Sequence, residues 1–217
     1  MDITHYKVGG KKYKNINDLA PQWPFRLAMI GPTGCGKTNS LMNLIKKYLY
    51  YDRLYVFIKT LHEDDYYIDL QECFDKIHDA LKYQVAHFYD DLEKLDLKMF
   101  DKSLQNLIVI DDFQLREDQK DVIDLFIYGR KLNCSVILLT HSYFDIPKII
   151  RMQCNYFVVF QIPSNKELRQ IIDDQAIGKT YEEIKTVYDK LKKYEFLLID
   201  RKSDDDKLKI RINFSAS

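Results

Sequence analysis

The chain has 217 residues, of which 46% are apolar and 30% are charged, enough for one α/β domain with a buried core. Its 33 basic and 33 acidic residues cancel, which argues against a protein that coats nucleic acid but allows one that holds DNA at a few points. No apolar run is long enough to cross a bilayer, so we expect no membrane insertion.

The first part of the chain predicts strands that alternate with helices. Residues 6–15 predict a short hairpin that turns at two consecutive glycines, and residues 17–24 contain two prolines and predict a lead-in loop. The apolar run 25–30 predicts a buried strand, and apolar residues at helical spacing over 39–50 predict an amphipathic helix. The next predicted elements are a strand at 54–58, a helix at 68–81 and a weaker strand at 85–89.

The second part continues this alternation. Four consecutive aliphatic residues at 107–110 predict a strand buried on both faces. The segments 195–200 and 208–214 flank a polar turn and predict a C-terminal β-hairpin. The other predicted elements are helices at 118–131, 166–174 and 181–193 and strands at 135–140 and 156–162.

Together these elements predict an α/β domain with a mostly parallel central sheet flanked by helices, and the Gly-x-x-x-x-Gly-Lys-Thr pattern at residues 31–38 makes it a P-loop NTPase fold. We expect a single domain in three parts. They are an N-terminal hairpin and lead-in over 1–24, an ATPase core over 25–175, and a C-terminal helix and β-hairpin over 176–217.

The strongest motif runs from Gly31 to Thr38 and reads Gly-Pro-Thr-Gly-Cys-Gly-Lys-Thr, the Walker A pattern. Its glycines let backbone N–H groups surround a β-phosphate, and the following helix points its positive end at the same phosphates. Lys37 is predicted to bridge the β- and γ-phosphates and Thr38 to bind Mg²⁺. A chance match is expected about once per hundred chains of this length, and the position between a strand and a helix favours function. The predicted ATP-binding residues are Gly31, Pro32, Thr33, Gly34, Cys35, Gly36, Lys37, Thr38 and Asn39.

The second motif is the run Leu-Ile-Val-Ile that ends in Asp111 and Asp112, a Walker B pattern. Asp111 is predicted to hold Mg²⁺, and Asp112 to act as the general base that polarises the attacking water. Apolar strands often end in aspartate at a turn, but a Walker A motif in the same chain favours the catalytic interpretation.

The strand at 135–140 ends in a polar group, Thr140, His141 and Ser142. Because ligands bind at the carboxyl ends of parallel strands, Thr140 or His141 is a candidate sensor of the γ-phosphate. A histidine there can also serve only for capping or packing. Arg130 and Arg151 are candidates for an arginine that acts on the site of a neighbouring subunit, although surface arginines are common.

The four cysteines form no CxxC pair, which predicts reduced thiols. Cys35 lies inside the predicted phosphate loop. The amides at the start of the helix are expected to lower the pKa of its thiol, so that it reacts faster than Cys73.

Residues 25–175 resemble the genome-packaging ATPases of large DNA viruses, of the poxvirus type, which also occur in virophages and large DNA transposons and belong to the HerA/FtsK superfamily. The more specific part of the resemblance runs from Thr140 to Phe144 and continues through Ile-Pro-Lys to Arg151. The family often has glutamine where this chain has His141.

The resemblance implies an ATPase that uses ATP and Mg²⁺ to translocate double-stranded DNA. It implies a homo-oligomeric ring, a pentamer or hexamer, that works with a viral capsid or portal-like vertex. It also implies a location in the viral factory of the host cytoplasm or in association with the virion.

Two other functions fit a P-loop. One is a kinase for a nucleoside or small metabolite, which normally needs a basic lid that the sequence does not suggest. The other is an NTP-dependent switch in a DNA transposition or partition complex. Stimulation of ATPase activity by DNA would separate the leading function from a kinase, and displacement of a roadblock from duplex DNA would separate it from a switch.

Overall fold

The computed structural model describes residues 13–175 and 178–215. Within these residues, eight strands form one sheet. They are β1 (Arg26–Ile30), β2 (Arg53–Ile58), β3 (Ala86–Tyr89), β4 (Asn106–Asp111), β5 (Cys134–Thr140), β6 (Tyr156–Val159), β7 (Leu197–Asp200) and β8 (Ile210–Ile212).

Six α-helices lie in the described ranges, and several 3-10 turns connect them to the strands. None of these helices is both long and apolar enough to span a bilayer. They are α1 (Lys37–Asn43), α2 (Asp65–Leu81), α3 (Lys120–Tyr128), α4 (Lys148–Gln153), α5 (Asn165–Gln175) and α6 (Tyr181–Tyr188).

The strand order is β3-β2-β4-β5-β1-β6-β7-β8. Of the eight described strands, the first six in this order run parallel. β7 pairs antiparallel with β6, and β8 pairs antiparallel with β7. The predicted α/β fold is therefore confirmed, and the C-terminal hairpin is β7 and β8, which extend the central sheet at one side.

Apolar residues alternate between the two faces of the sheet. On β1, Ala28 and Ile30 pack on the face covered by α3 to α6, while Leu27 and Met29 pack on the face covered by α1 and α2. All four are fully buried. Burial of each large side chain contributes about 1.5–3 kcal/mol, so the two layers hold the strand ends in fixed positions.

Some predicted elements end elsewhere. The helix expected at 39–50 begins earlier, at Lys37, because Gly36 before it adopts a left-handed conformation with φ 108°. α1 ends at Asn43, and the chain continues as a π-turn over Leu44–Tyr48. The helix expected at 118–131 is α3 followed by a 3-10 turn over Gly129–Leu132. The hairpin expected at 6–15 falls largely outside the described residues.

Two further elements are shorter than predicted. The strand expected at 156–162 ends at Val159, and the helix expected at 181–193 ends at Tyr188. The Tyr188 hydroxyl donates to the Phe160 carbonyl at 2.8 Å and accepts from the Ile162 N–H at 2.7 Å. These contacts satisfy backbone groups that a longer strand would otherwise pair.

The parallel sheet brings three chain segments to one edge. The carboxyl ends of β4, β5 and β1 lie side by side, with Ile110 beside Leu138 and Ile30 beside Thr140. The segment after β1, the aspartates at the end of β4 and the polar residues at the end of β5 therefore meet at this edge, where ligands bind in open α/β sheets.

Candidate active site

The phosphate loop after β1 is shaped by contacts that only glycine permits. A Cβ at Gly31 would lie 2.7 Å from Cys35 Sγ and 2.8 Å from Phe160 Cβ, so no larger residue fits there. Gly36 has φ 108°, a conformation that L-residues rarely adopt. One side of the loop therefore packs against Cys35 and Phe160, and the other side borders the cavity.

Lys37 lies across this loop and is buried. Its Nζ donates to the carbonyl oxygens of Gly31 at 2.6 Å and Pro32 at 3.2 Å. Burial lowers the pKa of the Lys37 ammonium, while the neighbouring Cys35, Asp111 and Asp112 act in the opposite direction. A phosphate would offer this buried cation a charged acceptor in place of neutral carbonyls.

Asp111 is the last residue of β4 and faces the same space. Its carboxylate accepts a 2.6 Å hydrogen bond from the Tyr67 hydroxyl, which comes from α2. Burial raises the pKa of the Asp111 carboxyl, and the Tyr67 hydrogen bond and the Lys37 charge oppose that rise. Burial also raises the pKa of Tyr67 well above its usual value, so its hydroxyl stays protonated and remains a donor. Tyr67 thus fixes the orientation of the predicted metal ligand.

Asp112 and His141 face each other across the mouth of the site. Asp112 has φ 59°, which turns the chain sharply at the strand end. Its Oδ1 lies 3.9 Å from His141 Nε2, and both side chains are about half exposed. This separation is too long for a direct hydrogen bond but suits a bridging water.

The segment that carries His141 is held from behind by Glu167 of α5. The buried Glu167 carboxylate accepts from Ser142 Oγ at 2.8 Å and from the Tyr143 N–H at 2.6 Å. Thr140 Oγ1 donates to the Ser142 carbonyl at 3.1 Å, which closes the turn. The candidate sensor residues therefore stand on a rigid support.

Together, Lys37, Asp111, Asp112 and His141 line one cavity of about 680 Å³, a size typical of sites for drug-sized ligands. Residues after β2, at the start of α2 and before β7 complete the walls. The lining residues are Thr33, Gly34, Gly36, Lys37, Thr38, Asn39, Ile58, Thr60, Asp64, Tyr66, Asp111, Asp112, His141 and Tyr194.

The donor set fits Mg²⁺ bound together with a nucleotide. The described residues contain no cluster of three or more histidines, cysteines and acids that would hold a metal alone. Mg²⁺ is usually held by one or two carboxylates together with substrate phosphates. Thr38 and Asp111 supply a hydroxyl and a carboxylate to one cavity beside Lys37.

The model of the family described as Poxvirus A32 protein matches residues 12–202 of the chain. The chain belongs to this family. The matched range includes the phosphate loop, the aspartate pair, the Thr140–Ser142 segment and Tyr194.

Relatives of this A32-family chain include the DNA packaging protein OPG160 of Monkeypox virus, 30% identical over 161 residues that cover 70% of this chain and 52% of the relative. The Vaccinia virus (strain Copenhagen) protein of the same name is 29% identical over 161 residues, 70% of this chain and 58% of its own length. The chain therefore spans little more than half the length of these relatives.

Among solved structures, the chain is similar in fold to B204, the DNA-packaging ATPase from Sulfolobus Turreted Icosahedral Virus. The TM-score is 0.62 at 19% identity, covering 88% of this chain and 97% of B204. The genome packaging NTPase B204 from Sulfolobus turreted icosahedral virus 2, solved with AMP, gives a TM-score of 0.60 at 17% identity over 88% of this chain and 96% of that one.

Six of the nine residues predicted to bind ATP line the cavity. The other three lie beneath it. Gly31 and Pro32 accept hydrogen bonds from Lys37, and Cys35 packs against the underside of the loop.

The predicted lowering of the Cys35 thiol pKa was wrong. Burial raises the pKa of its thiol, and the opposing influence of Lys37 and the loop N–H groups is smaller. Cys73 is exposed whereas Cys35 is half-buried, so Cys35 should be the slower of the two to react.

The two arginines occupy different environments, and neither is among the described residues that line the cavity. Arg151 is 17% exposed, lies 3.5 Å from Asp174 Oδ2 and stacks on the ring of Tyr143 at 4.6 Å. Arg130 is exposed on the 3-10 turn that leads into β5, at the sheet edge opposite the phosphate loop.

Proposed function

We propose that this A32-family chain hydrolyses ATP to drive double-stranded DNA into a viral capsid. The observation that carries the proposal is the single cavity in which Lys37, Thr38, Asp111, Asp112 and His141 meet. The names of its relatives, DNA packaging proteins, supply the biological direction.

The phosphate end of ATP would lie on the loop from Gly31 to Thr38. Backbone N–H groups and the start of α1 attract the phosphates, and Lys37 transfers its hydrogen bonds from loop carbonyls to phosphate oxygens. Thr38 and Asp111 would hold Mg²⁺, which neutralises charge on the phosphate oxygens when it is bound.

Asp112 would act as the general base. Its carboxylate takes a proton from water as the water oxygen bonds to the γ-phosphorus and the bond from that phosphorus to the ADP oxygen breaks. His141 faces the same position and would position the water or sense the γ-phosphate. Asp is shorter than the Glu that many ATPases use here, and the turn at Asp112 brings its short side chain to the cavity mouth.

The chain would act in a homo-oligomeric ring with an arginine supplied between subunits. We place that arginine at Arg130 rather than Arg151, because Arg130 is exposed whereas Arg151 is paired with Asp174 in its own chain. The ring, a pentamer or hexamer, would work at a capsid or portal-like vertex in the viral factory of the host cytoplasm.

The cavity wall disfavours a metabolite kinase. Among the described lining residues the basic side chains are Lys37 and His141, and none is an arginine that would clamp a second phosphate acceptor. The half-exposed Asp112 at the mouth of the cavity favours water as the acceptor of the phosphoryl group.

The test is the ATP hydrolysis rate with and without double-stranded DNA, measured beside the particle mass in solution. We expect DNA to stimulate turnover, and Lys37→Ala to lower it about 10²- to 10³-fold as typical for lost charge stabilisation. Lys47→Ala, at an exposed lysine ten residues further along the chain, is the matched control. Turnover that ignores DNA and requires a nucleoside acceptor would overturn the proposal in favour of a kinase.

A further inference from the structure

The cavity continues past the phosphate loop to an exposed aromatic ring. Tyr194 lies in the turn between α6 and β7, lines the cavity and is 57% exposed. A Cβ at Gly36 would lie 3.3 Å from Tyr194 Cδ1, so the ring borders the phosphate loop. The same ring lines a second cavity of about 400 Å³ next to Tyr48 and Asn213. Its position therefore gives the ring access to both cavities.

The sheet order gives the direction in which a nucleotide would lie. Asp111, Asp112 and His141 end β4 and β5, on one side of β1. Tyr194 precedes β7, two strands away on the other side of β1. The γ-phosphate belongs at the acids, so the nucleoside at the other end of the molecule points toward Tyr194. Tyr66 also lines the cavity, but it lies in the first turn of α2, which follows β2 on the side of β4 away from β1.

The turn that carries Tyr194 is held in a fixed and unfavourable conformation. Tyr194 has φ 72°, rare for a bulky residue. Lys192 N–H donates to Glu195 Oε2 at 2.8 Å, and Glu195 N–H donates to the Lys192 carbonyl at 3.0 Å. Gln161 Nε2 donates to the Leu191 carbonyl at 2.8 Å and ties the turn to the segment after β6. Such strain is found where the surrounding structure enforces a functional position.

We propose that Tyr194 is the platform on which the base of the bound nucleotide stacks. The inference rests on the proposed function for the phosphate end and adds the site for the base. The ammonium of the exposed Lys193 lies 4.9 Å from the ring centroid, so a base that stacks on that face displaces a solvated side chain. Stacking is tolerant of base identity, so Tyr194 supplies affinity without selecting one base over another.

The test compares a ligand that has a base with one that lacks it. Binding of ATP and of inorganic tripolyphosphate, each with Mg²⁺, is measured by calorimetry on the full chain. Tyr194→Gly removes the ring and permits the positive φ. We expect it to weaken ATP binding about 10-fold, the usual value of one base–aromatic stack, and to leave tripolyphosphate binding within about 2-fold.

Three further variants complete the design. Tyr194→Phe keeps the ring and should bind ATP like the wild type, whereas Tyr194→Leu keeps bulk without a flat ring and should be weakened like Tyr194→Gly. Tyr83→Ala, an exposed tyrosine before β3, should change neither ligand. Unchanged ATP binding in Tyr194→Leu, or equal weakening of both ligands in Tyr194→Gly and Tyr194→Leu, overturns the base platform.

The same data separate this inference from the proposed function. If ATP binds in a Tyr194-dependent manner but is not hydrolysed, the base platform stands and the motor proposal fails. If the wild type binds tripolyphosphate as tightly as ATP, the base contributes nothing and the platform fails while the phosphate site stands.

Discussion

The two ends of the phosphate-binding part of the cavity differ in how completely one chain encloses them. Lys37 at the loop is 8% exposed and rests on backbone carbonyls. At the acid end, the side chains of Asp112 and His141 are 45% and 55% exposed. A single chain thus buries the lysine of the phosphate loop but leaves the acid end, where we propose hydrolysis, open to water. Electrostatic catalysis is strongest where water is excluded, so this open end is where a neighbouring subunit would matter most.

The largest expected effect tests that open end directly. Arg130→Ala should preserve ATP binding and lower turnover about 10³-fold, since an arginine supplied from a neighbour typically contributes that much. Arg151→Ala, the matched comparison, should instead lower the melting temperature, because it breaks the contacts to Asp174 and Tyr143.

Mixing variants sharpens this prediction. Lys37→Ala subunits keep the arginine, and Arg130→Ala subunits keep the phosphate loop, so mixed rings should regain part of the turnover of wild type. If no mixture recovers activity while the wild type is a ring, the arginine lies elsewhere. Full activity in a dilute monomer would show that the acid end needs no neighbour.

Substitution of Asp111 and of Asp112 should have different effects on ATP hydrolysis. Asp112→Asn should retain binding of ATP and Mg²⁺ and lower turnover about 10²-fold, because an amide cannot accept the proton of water. Asp111→Asn should raise the Mg²⁺ concentration needed for half-maximal activity. Titration of Mg²⁺ at saturating ATP distinguishes them, and exchanged phenotypes would reverse the two assignments.

A smaller effect is expected from the tyrosine behind the metal ligand. Tyr67→Phe removes the 2.6 Å hydrogen bond to Asp111. Hydrogen bonds to charged groups contribute about 1.5–3 kcal/mol, so turnover at limiting Mg²⁺ should fall about 10-fold and recover in part at high Mg²⁺. Tyr128→Phe, an exposed tyrosine at the end of α3, is the control. An unchanged Mg²⁺ requirement would reduce Tyr67 to a packing role.

The smallest effect on turnover should come from changing Glu167, which holds the segment that carries His141. Glu167→Ala leaves the buried Tyr143 N–H without its acceptor, which costs about 1–3 kcal/mol of folding stability and several degrees of melting temperature. Glu167→Gln keeps an acceptor oxygen and should lower turnover only a few-fold. Glu72→Ala, exposed on α2, is the control. A melting temperature unchanged in Glu167→Ala would contradict the supporting role of Glu167.

The sequence predicted the parts of the site that are built from consecutive residues. The phosphate loop is one run of eight residues, so its motif can be recognised directly. The aspartate pair follows an apolar strand, which also forms a local pattern. Tyr67 lies 44 residues from Asp111, and Glu167 lies 25 from Ser142. Such pairs depend on the tertiary fold and leave no local pattern.

The errors have the same origin. Helix-end amides predicted a lowered thiol pKa at Cys35, but burial against the hydrophobic core beneath the loop outweighs them. The Tyr188 hydroxyl pairs with backbone groups of Phe160 and Ile162, 26 to 28 positions away, where a longer β6 was predicted. Nothing in the local sequence indicated that Tyr194 would adopt a positive φ beside the phosphate loop.

Movement along duplex DNA tests the account most directly. A triplex-forming oligonucleotide bound to a double-stranded track is released when a translocase runs into it. With ATP, the chain should release the third strand at a rate that follows turnover, and Lys37→Ala and Asp112→Asn should not. DNA-stimulated hydrolysis that leaves the third strand in place would contradict the motor and indicate an NTP-dependent switch.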